Sequence, residues 1–156
     1  MEKIQFQIVQ PGDKDYSALI ARWYFSEWNI PVDTTIKRLQ SFTAENGQFQ
    51  VLMTLDGRPV STGGLCDHVG LLDKVPRLNI HKKWLALLYT IPEKRGQGHG
   101  ASVCQFIQDR AKSLEIRQIH LFTDTAERLY QRLGWTETER LVINNRNIVV
   151  MAKDLF

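Results

Sequence analysis

The stretch Arg95-Gly96-Gln97-Gly98-His99-Gly100-Ala101 decides how this chain is read. An apolar run, Trp84 to Ile91, precedes it, and helical periodicity begins near Gly100. A strand, a glycine turn and a helix start in that order make an anion cradle. Glycines let backbone N–H groups turn inward, and a helix N-terminus adds unpaired donors and a partial positive charge. Arg95 adds a full charge beside the turn. The expected ligand is a phosphate or a diphosphate.

The surroundings of the turn narrow the choice. A Walker loop needs Gly-Lys-Ser/Thr after its second glycine, and none is present. A dinucleotide fingerprint is a closer rival: Gly96, Gly98 and Ala101 fit G-x-G-x-x-G/A, and Asp124 follows roughly 20 residues on. Against it, Pro92, Glu93, Lys94 and Arg95 separate the strand from the first glycine. After Asp124 only Thr125 to Phe156 remain, too little for the further parallel βαβ units of a doubly wound sheet.

A length of 156 residues fits one domain with a real core, spanning residues 1–156. The net charge of +3 suits an anionic ligand but is too small to argue for nucleic acid, and no basic run exceeds His81-Lys82-Lys83. Cys66 and Cys104 have neither C-x-x-C nor metal spacing. Two reduced thiols in a cytoplasmic protein are expected, with one disulfide left open. The start, Met1-Glu2-Lys3-Ile4-Gln5-Phe6, lacks the apolar core of a signal peptide, and no run approaches the roughly 18 apolar residues of a membrane helix. Neither a membrane nor a nucleic acid is an expected partner. Four histidines without paired spacing predict no metal site.

Along the chain, Ile4, Phe6 and Ile8 alternate against Gln5 and Gln7 as a half-buried strand. Asp13 or Asp15 can cap a helix carrying Tyr16, Leu19, Ile20 and Trp23, which Pro31 ends. Asp33 is the expected cap of a second helix with Ile36, Leu39 and Phe42 buried, closed by Gly47. Phe49, Val51, Met53 and Leu55 alternate as a strand, and Asp56-Gly57 signals a hairpin returning through Val60 to His68. Gly63-Gly64 within that return predicts a bulge or a close backbone approach. Val69 to Lys83 reads as a long loop. Trp84 to Ile91 reads as a central strand buried on both faces. Ala101, Cys104, Ile107, Ala111 and Leu114 share a helix face, Ile116 to Thr123 is a strand, and Thr123 or Asp124 caps a short helix ended by Gly134. Leu141–Ile143 and Ile148–Met151 flank Asn144-Asn145-Arg146-Asn147 as a closing hairpin, a candidate homodimer edge.

In that order, β-α-α-β-β-β-α-β-α-β-β, the chain resembles the GCN5-related N-acetyltransferase (GNAT) family. Three stretches carry the resemblance. Arg95-Gly96-Gln97-Gly98-His99-Gly100 is similar to the phosphate loop R/Q-x-x-G-x-G/A. Leu87 to Arg95 looks like the family's central strand and its proline. Ala126-Glu127-Arg128-Leu129-Tyr130-Gln131-Arg132-Leu133-Gly134-Trp135 is similar to A-x-x-L-Y-x-x-L-G-F/W, with about 25 residues between it and the loop. The likeness covers the whole chain and is strongest from Trp84 to Trp135. It implies an α/β (α+β) fold, a mixed, mostly antiparallel twisted sheet of about seven strands with about four helices.

The resemblance also implies acetyl-CoA as donor. The diphosphate would sit on the backbone of Arg95, Gly96, Gln97, Gly98, His99 and Gly100 with Ala101, and pantetheine would pair like a strand with Leu88, Tyr89 and Thr90. Such pairing would satisfy N–H and C=O groups left open where the sheet splays. Tyr130 would point at the CoA sulfur and protonate or hydrogen-bond the leaving thiolate; its structural alternative is a packed helical tyrosine. For the base that deprotonates the amine, Asp67 and His68 are the best placed, with Glu27, His120 and Asp124 behind them. Thr123 stands where many relatives carry an asparagine that contacts pantetheine. His99 is expected to face solvent and to bind through its backbone, and Cys104 to pack in the core. Tyr24, Glu27 and Trp28 are candidate substrate contacts.

The function so implied is direct acetyl transfer to a primary amine, a small molecule first and a protein N-terminus or lysine second. The alternatives are a non-catalytic acyl-CoA-binding module and a nucleotide-binding oxidoreductase fragment.

Overall fold

The computed structural model describes residues 2–156; Met1, where the leader reading begins, lies outside them. Strands form at β1 (Ile4–Ile8), β2 (Phe49–Leu55), β3 (Arg58–Cys66), β4 (Trp84–Thr90), β5 (Gln118–Thr123), β6 (Thr136–Ile143) and β7 (Arg146–Asp154). Helices form at α1 (Lys14–Trp28), α2 (Val32–Gln40), α3 (Leu71–Lys74), α4 (His99–Ser113) and α5 (Glu127–Arg132). The strands make one sheet in the order β1-β2-β3-β4-β5-β7-β6. Every adjacent pair is antiparallel except β4 and β5.

Alternation of side chains across the sheet assigns the helices to its two faces. At Gly63 an added Cβ would lie 2.8 Å from Leu88 and against Val103 and Ile107, so that face carries α4. At the next residue, Gly64, it would lie 2.5 Å from the Gln50 amide, which bonds Tyr24 of α1. Phe6 stacks on Phe106 across the first face and Trp23 on Tyr89 across the second. The fully buried Ile20, Leu52, Met53, Leu65, Ile107, Ile119 and Met151 fill the layers between.

Several local expectations change. Asp13 precedes α1, but its carboxylate accepts from the Gln10 N–H rather than capping the helix. Pro31, not Asp33, occupies the cap position of α2, with Asp33 in the first turn, where its charge still favours the helix dipole. That helix ends at Gln40; Gly47 closes a separate 3-10 turn, Ala44–Asn46. The long loop holds α3 and a 3-10 turn, Pro76–Ile80, each too short to show periodicity. Ala126, not Thr123 or Asp124, occupies the cap position of α5; the Thr123 hydroxyl instead accepts from the Thr125 and Ala126 N–H groups in the turn that leads to it. Cys66 and Cys104 are both free, which closes the disulfide option.

Candidate active site

The site begins with a defect in β4. Thr62 pairs with Tyr89 and Gly64 with Ala86, so Leu87 and Leu88 together oppose Gly63. This is a bulge with the extra residue in β4, where Leu87 takes a left-handed φ of 56°. A buried relay holds it. The Tyr24 hydroxyl donates to the Leu87 carbonyl at 2.7 Å and accepts from Gln50 Nε2 at 2.9 Å. Gln50 Nε2 also donates to Thr62 Oγ1, which donates to the Val51 carbonyl. Burial pushes the Tyr24 phenol well above its ordinary value, so it stays a donor.

On its other side β4 parts from β5. The two strands register only at Trp84 and His120. Beyond that point the β5-facing backbone of β4 has no strand partner, and Ala86, Leu87 and Leu88 are half-buried. The expectation of a strand buried on both faces is corrected here: the same apolar run lines an opening.

Two cavities meet at this opening. The first, of about 510 Å³, is lined by Leu88, Tyr89, Thr90, Arg95, Gly96, Gly98, His99, Gly100 and Ala101 and by Lys94, Arg132 and Glu27. Gln97 is not on its wall. Gly96 and Gly98 hold φ of 77° and 85°, which only glycine adopts readily, and an added Cβ at either meets nothing within 4 Å. The turn therefore leaves space above the first turn of α4. Lys94, Arg95 and Arg132 against Glu27 give the wall a cationic excess.

Arg95 is tied down on the cavity wall although its side chain stays exposed. Its Nε donates to the Thr90 carbonyl at 2.8 Å, its Nη2 meets Glu27 at 3.2 Å, and its Cζ lies 5.4 Å from the Tyr89 ring centre. His99 is not the solvent-facing residue expected. As the first residue of α4 it is 9% exposed, packed against the turn, and its Nε2 is buried without a hydrogen-bond partner.

The second cavity, of about 500 Å³, shares Trp28, Leu88, Ala126 and Tyr130 with the first and extends to Ile30, Arg38, Val69, Leu121, Thr123, Asp124, Arg146 and Ile148. Tyr130 stands at the junction. It is 7% exposed and packs edge-on against Trp135, and its hydroxyl makes no hydrogen bond among the described residues. Burial raises its pKa, so the hydroxyl keeps its proton. Trp28 walls both cavities, Glu27 only the first, and Tyr24 lies beneath the bulge.

Asp67 and His68 reach neither cavity. Asp67 is turned to Lys83, 2.5 Å away, and the His68 ring meets Asp73 at 2.9 Å, both at the exposed end of β3. Asp124 is the one carboxylate on the second cavity's wall, and Arg146 pairs with it. His120 is buried under the stacked His81 ring at the closed end of the β4–β5 split. Sequence reasoning missed Arg38, Arg132, Lys94 and Arg146. Arg132 follows Leu129 by three residues, a helical spacing that places it over the same cleft; Arg38 reads as the solvated face of α2 and carries no signal. Among the described residues no cluster of His, Cys, Asp or Glu is placed to hold a metal.

The family model described as an acetyltransferase (GNAT) domain matches residues 46–137. Among solved structures, an aminoglycoside 6'-N-acetyltransferase from Enterococcus faecium superposes with a TM-score of 0.76 at 12% identity, over 97% of this chain and 97% of its own. An N-acetyltransferase from Staphylococcus aureus gives 0.74 at 12% identity, over 99% of each chain. An aminoglycoside 6'-N-acetyltransferase complexed with coenzyme A gives 0.75 at 13%, over 97% of each. At such identities the likeness is one of fold. No curated protein matches the chain in sequence. The family match takes in the bulged strand, the glycine turn and Tyr130, and it spans more than half of the chain: this protein belongs to the GNAT acetyltransferase family.

Proposed function

We propose that the chain transfers the acetyl group of acetyl-CoA directly to the primary amine of a small molecule. The observation that carries this reading is the meeting of the two cavities at Leu88 and Tyr130, where β4 leaves its backbone unpaired. The cationic first cavity takes the CoA diphosphate on the turn backbone, Arg95 and Arg132. Pantetheine pairs with the free edge of β4 at Leu88 to Thr90. The thioester then lies at the junction, and the amine enters from the second cavity.

Holding thioester and amine together supplies much of the rate. The bulge aims β4 backbone at the carbonyl oxygen as charge develops there. Tyr130, kept protonated, donates to the departing thiolate. Asp124 takes the amine proton, directly or through water, since Asp67 and His68 face away. Calorimetric titration with acetyl-CoA, with NADH and ATP as controls, followed by a thiol-release screen of amines, tests the proposal. Micromolar acetyl-CoA binding with silent controls and thiol release support it. Binding without release from any amine turns the reading to a non-catalytic acyl-CoA module, and no acetyl-CoA binding removes it.

A further inference from the structure

We infer that the acceptor is a primary amine that also carries a carboxylate, held by Arg38; this rests on the acetyl-transfer reading above. The charge on the second cavity's wall comes from Arg38, Asp124 and Arg146. Asp124 and Arg146 neutralise each other. Arg38 is left over. It is half-buried, and among the described residues no carboxylate lies within 4.0 Å of it.

Its polar contact is the Cys66 thiol, which accepts from Arg38 Nη2 at 2.7 Å. Burial pushes that thiol's pKa up, so it offers dipole rather than charge, although the guanidinium pulls the other way. Arg38 Cζ also lies 5.9 Å from the Phe42 ring centre, which fixes the side chain from one face. A guanidinium positioned in this way, facing a cavity and lacking an anion, has donors free for a bidentate carboxylate.

The same wall disfavours polycations. An aminoglycoside carries several ammonium groups and needs several carboxylates around it, while this wall has one, enough for a single reacting amine and shared with Arg146. The fold neighbours that act on aminoglycosides therefore do not indicate this chain's acceptor.

Matched amines test the inference by thiol release and by titration into the CoA complex. The set is 5-aminopentanoate, 1,5-diaminopentane, pentylamine, phenylalanine, phenethylamine, O-phosphoethanolamine and kanamycin. The carboxylate-bearing member of each pair is expected to bind and to turn over about tenfold better, the effect of one charge-assisted contact. Arg38→Gln is expected to erase that preference through KM while leaving acetyl-CoA affinity intact, and Arg38→Lys to restore part of it. Preference for the diamine or kanamycin, preference for the phosphate, failure of both carboxylate amines to bind, or an unchanged preference in Arg38→Gln overturns the inference. All four results leave the acetyl-CoA titration, and so the acetyl-transfer reading, standing on its own.

Discussion

The Tyr24 hydroxyl of α1 donates a 2.7 Å hydrogen bond to the carbonyl of Leu87, the residue that carries the bulge of β4. A leucine at a φ of 56° is disfavoured, so the bulge persists only where its surroundings over-determine it. Tyr24 supplies that constraint, and Gln50 and Thr62 orient Tyr24 in turn. Tyr24→Phe leaves the Leu87 carbonyl and a Gln50 N–H without partners. The expected cost is about 1–3 kcal/mol in denaturant unfolding, together with a raised KM for acetyl-CoA. A normal KM beside lost stability would mean that the bulge holds without the relay.

Gly98 combines a φ of 85° with open space where a side chain would stand. Gly98→Asp fills that space with an anion over the start of α4 and strains the backbone as well. Calorimetry is expected to show acetyl-CoA binding abolished. The thermal unfolding transition should remain cooperative, because no packed neighbour is displaced. Unchanged affinity would remove the turn from the binding site.

The Tyr130 hydroxyl has no hydrogen bond to give up among the described residues, and its proton is secure across the working pH range. Tyr130→Phe should therefore cost turnover, on the order of 100-fold in kcat, with little change in acetyl-CoA affinity. Equal losses in both would assign the hydroxyl to packing.

The Glu27–Arg95 pair, 3.2 Å apart and half-exposed, competes with a bound diphosphate for the same guanidinium. Glu27→Gln frees that charge. Because exposed pairs contribute about 1 kcal/mol or less, acetyl-CoA affinity should rise by no more than about fivefold, and the gain should shrink in high salt. A fall in affinity would mean that Glu27 positions Arg95 for the ligand instead of competing with it.

What the sequence displays and what it conceals divide along physical lines. Asp56-Gly57 and Asn144-Asn145 set the two hairpins because their backbones need the positive φ those residues tolerate. Gly63-Gly64 marks the bulge from the β3 side, where both faces are crowded. The extra residue itself, Leu87, has no signature, since its conformation is imposed by a tyrosine 63 residues away. The glycine turn and Tyr130 are legible because a backbone shape and a helical spacing both leave marks in local sequence. Asp67 and His68 show the limit of that logic: β3 stops at Cys66, short of the expected His68, and the two side chains beyond it turn to Lys83 and Asp73. Arg38 is the converse case, a helix-surface residue that becomes cavity wall only because the β4–β5 split opens beside it.

His120 gives the fold an acid limit separate from its carboxylates. Burial, and then the His81 ring stacked 3.7 Å away, bring its pKa from the usual 6.5 down to about 4, with Asp154 pulling weakly in the opposite direction. Above pH 6.5 the ring is neutral folded or unfolded, and the full stability is present. Between 6.5 and 4 the unfolded chain takes up a proton that the folded chain refuses, so stability falls with pH; below about 4 this loss stops growing. Glu93 and Glu139, held below the usual 4.5 by Arg58 and Arg77, lose their contribution only as pH falls below about 4.5, at the acid end of that window. His120→Phe keeps a ring beside His81 and Trp84 but has no proton to gain. Thermal melts from pH 8 to 4 should show a shallower decline for the variant between 6.5 and 4 and parallel curves above it. Identical slopes for the two proteins in that window would place the acid sensitivity elsewhere.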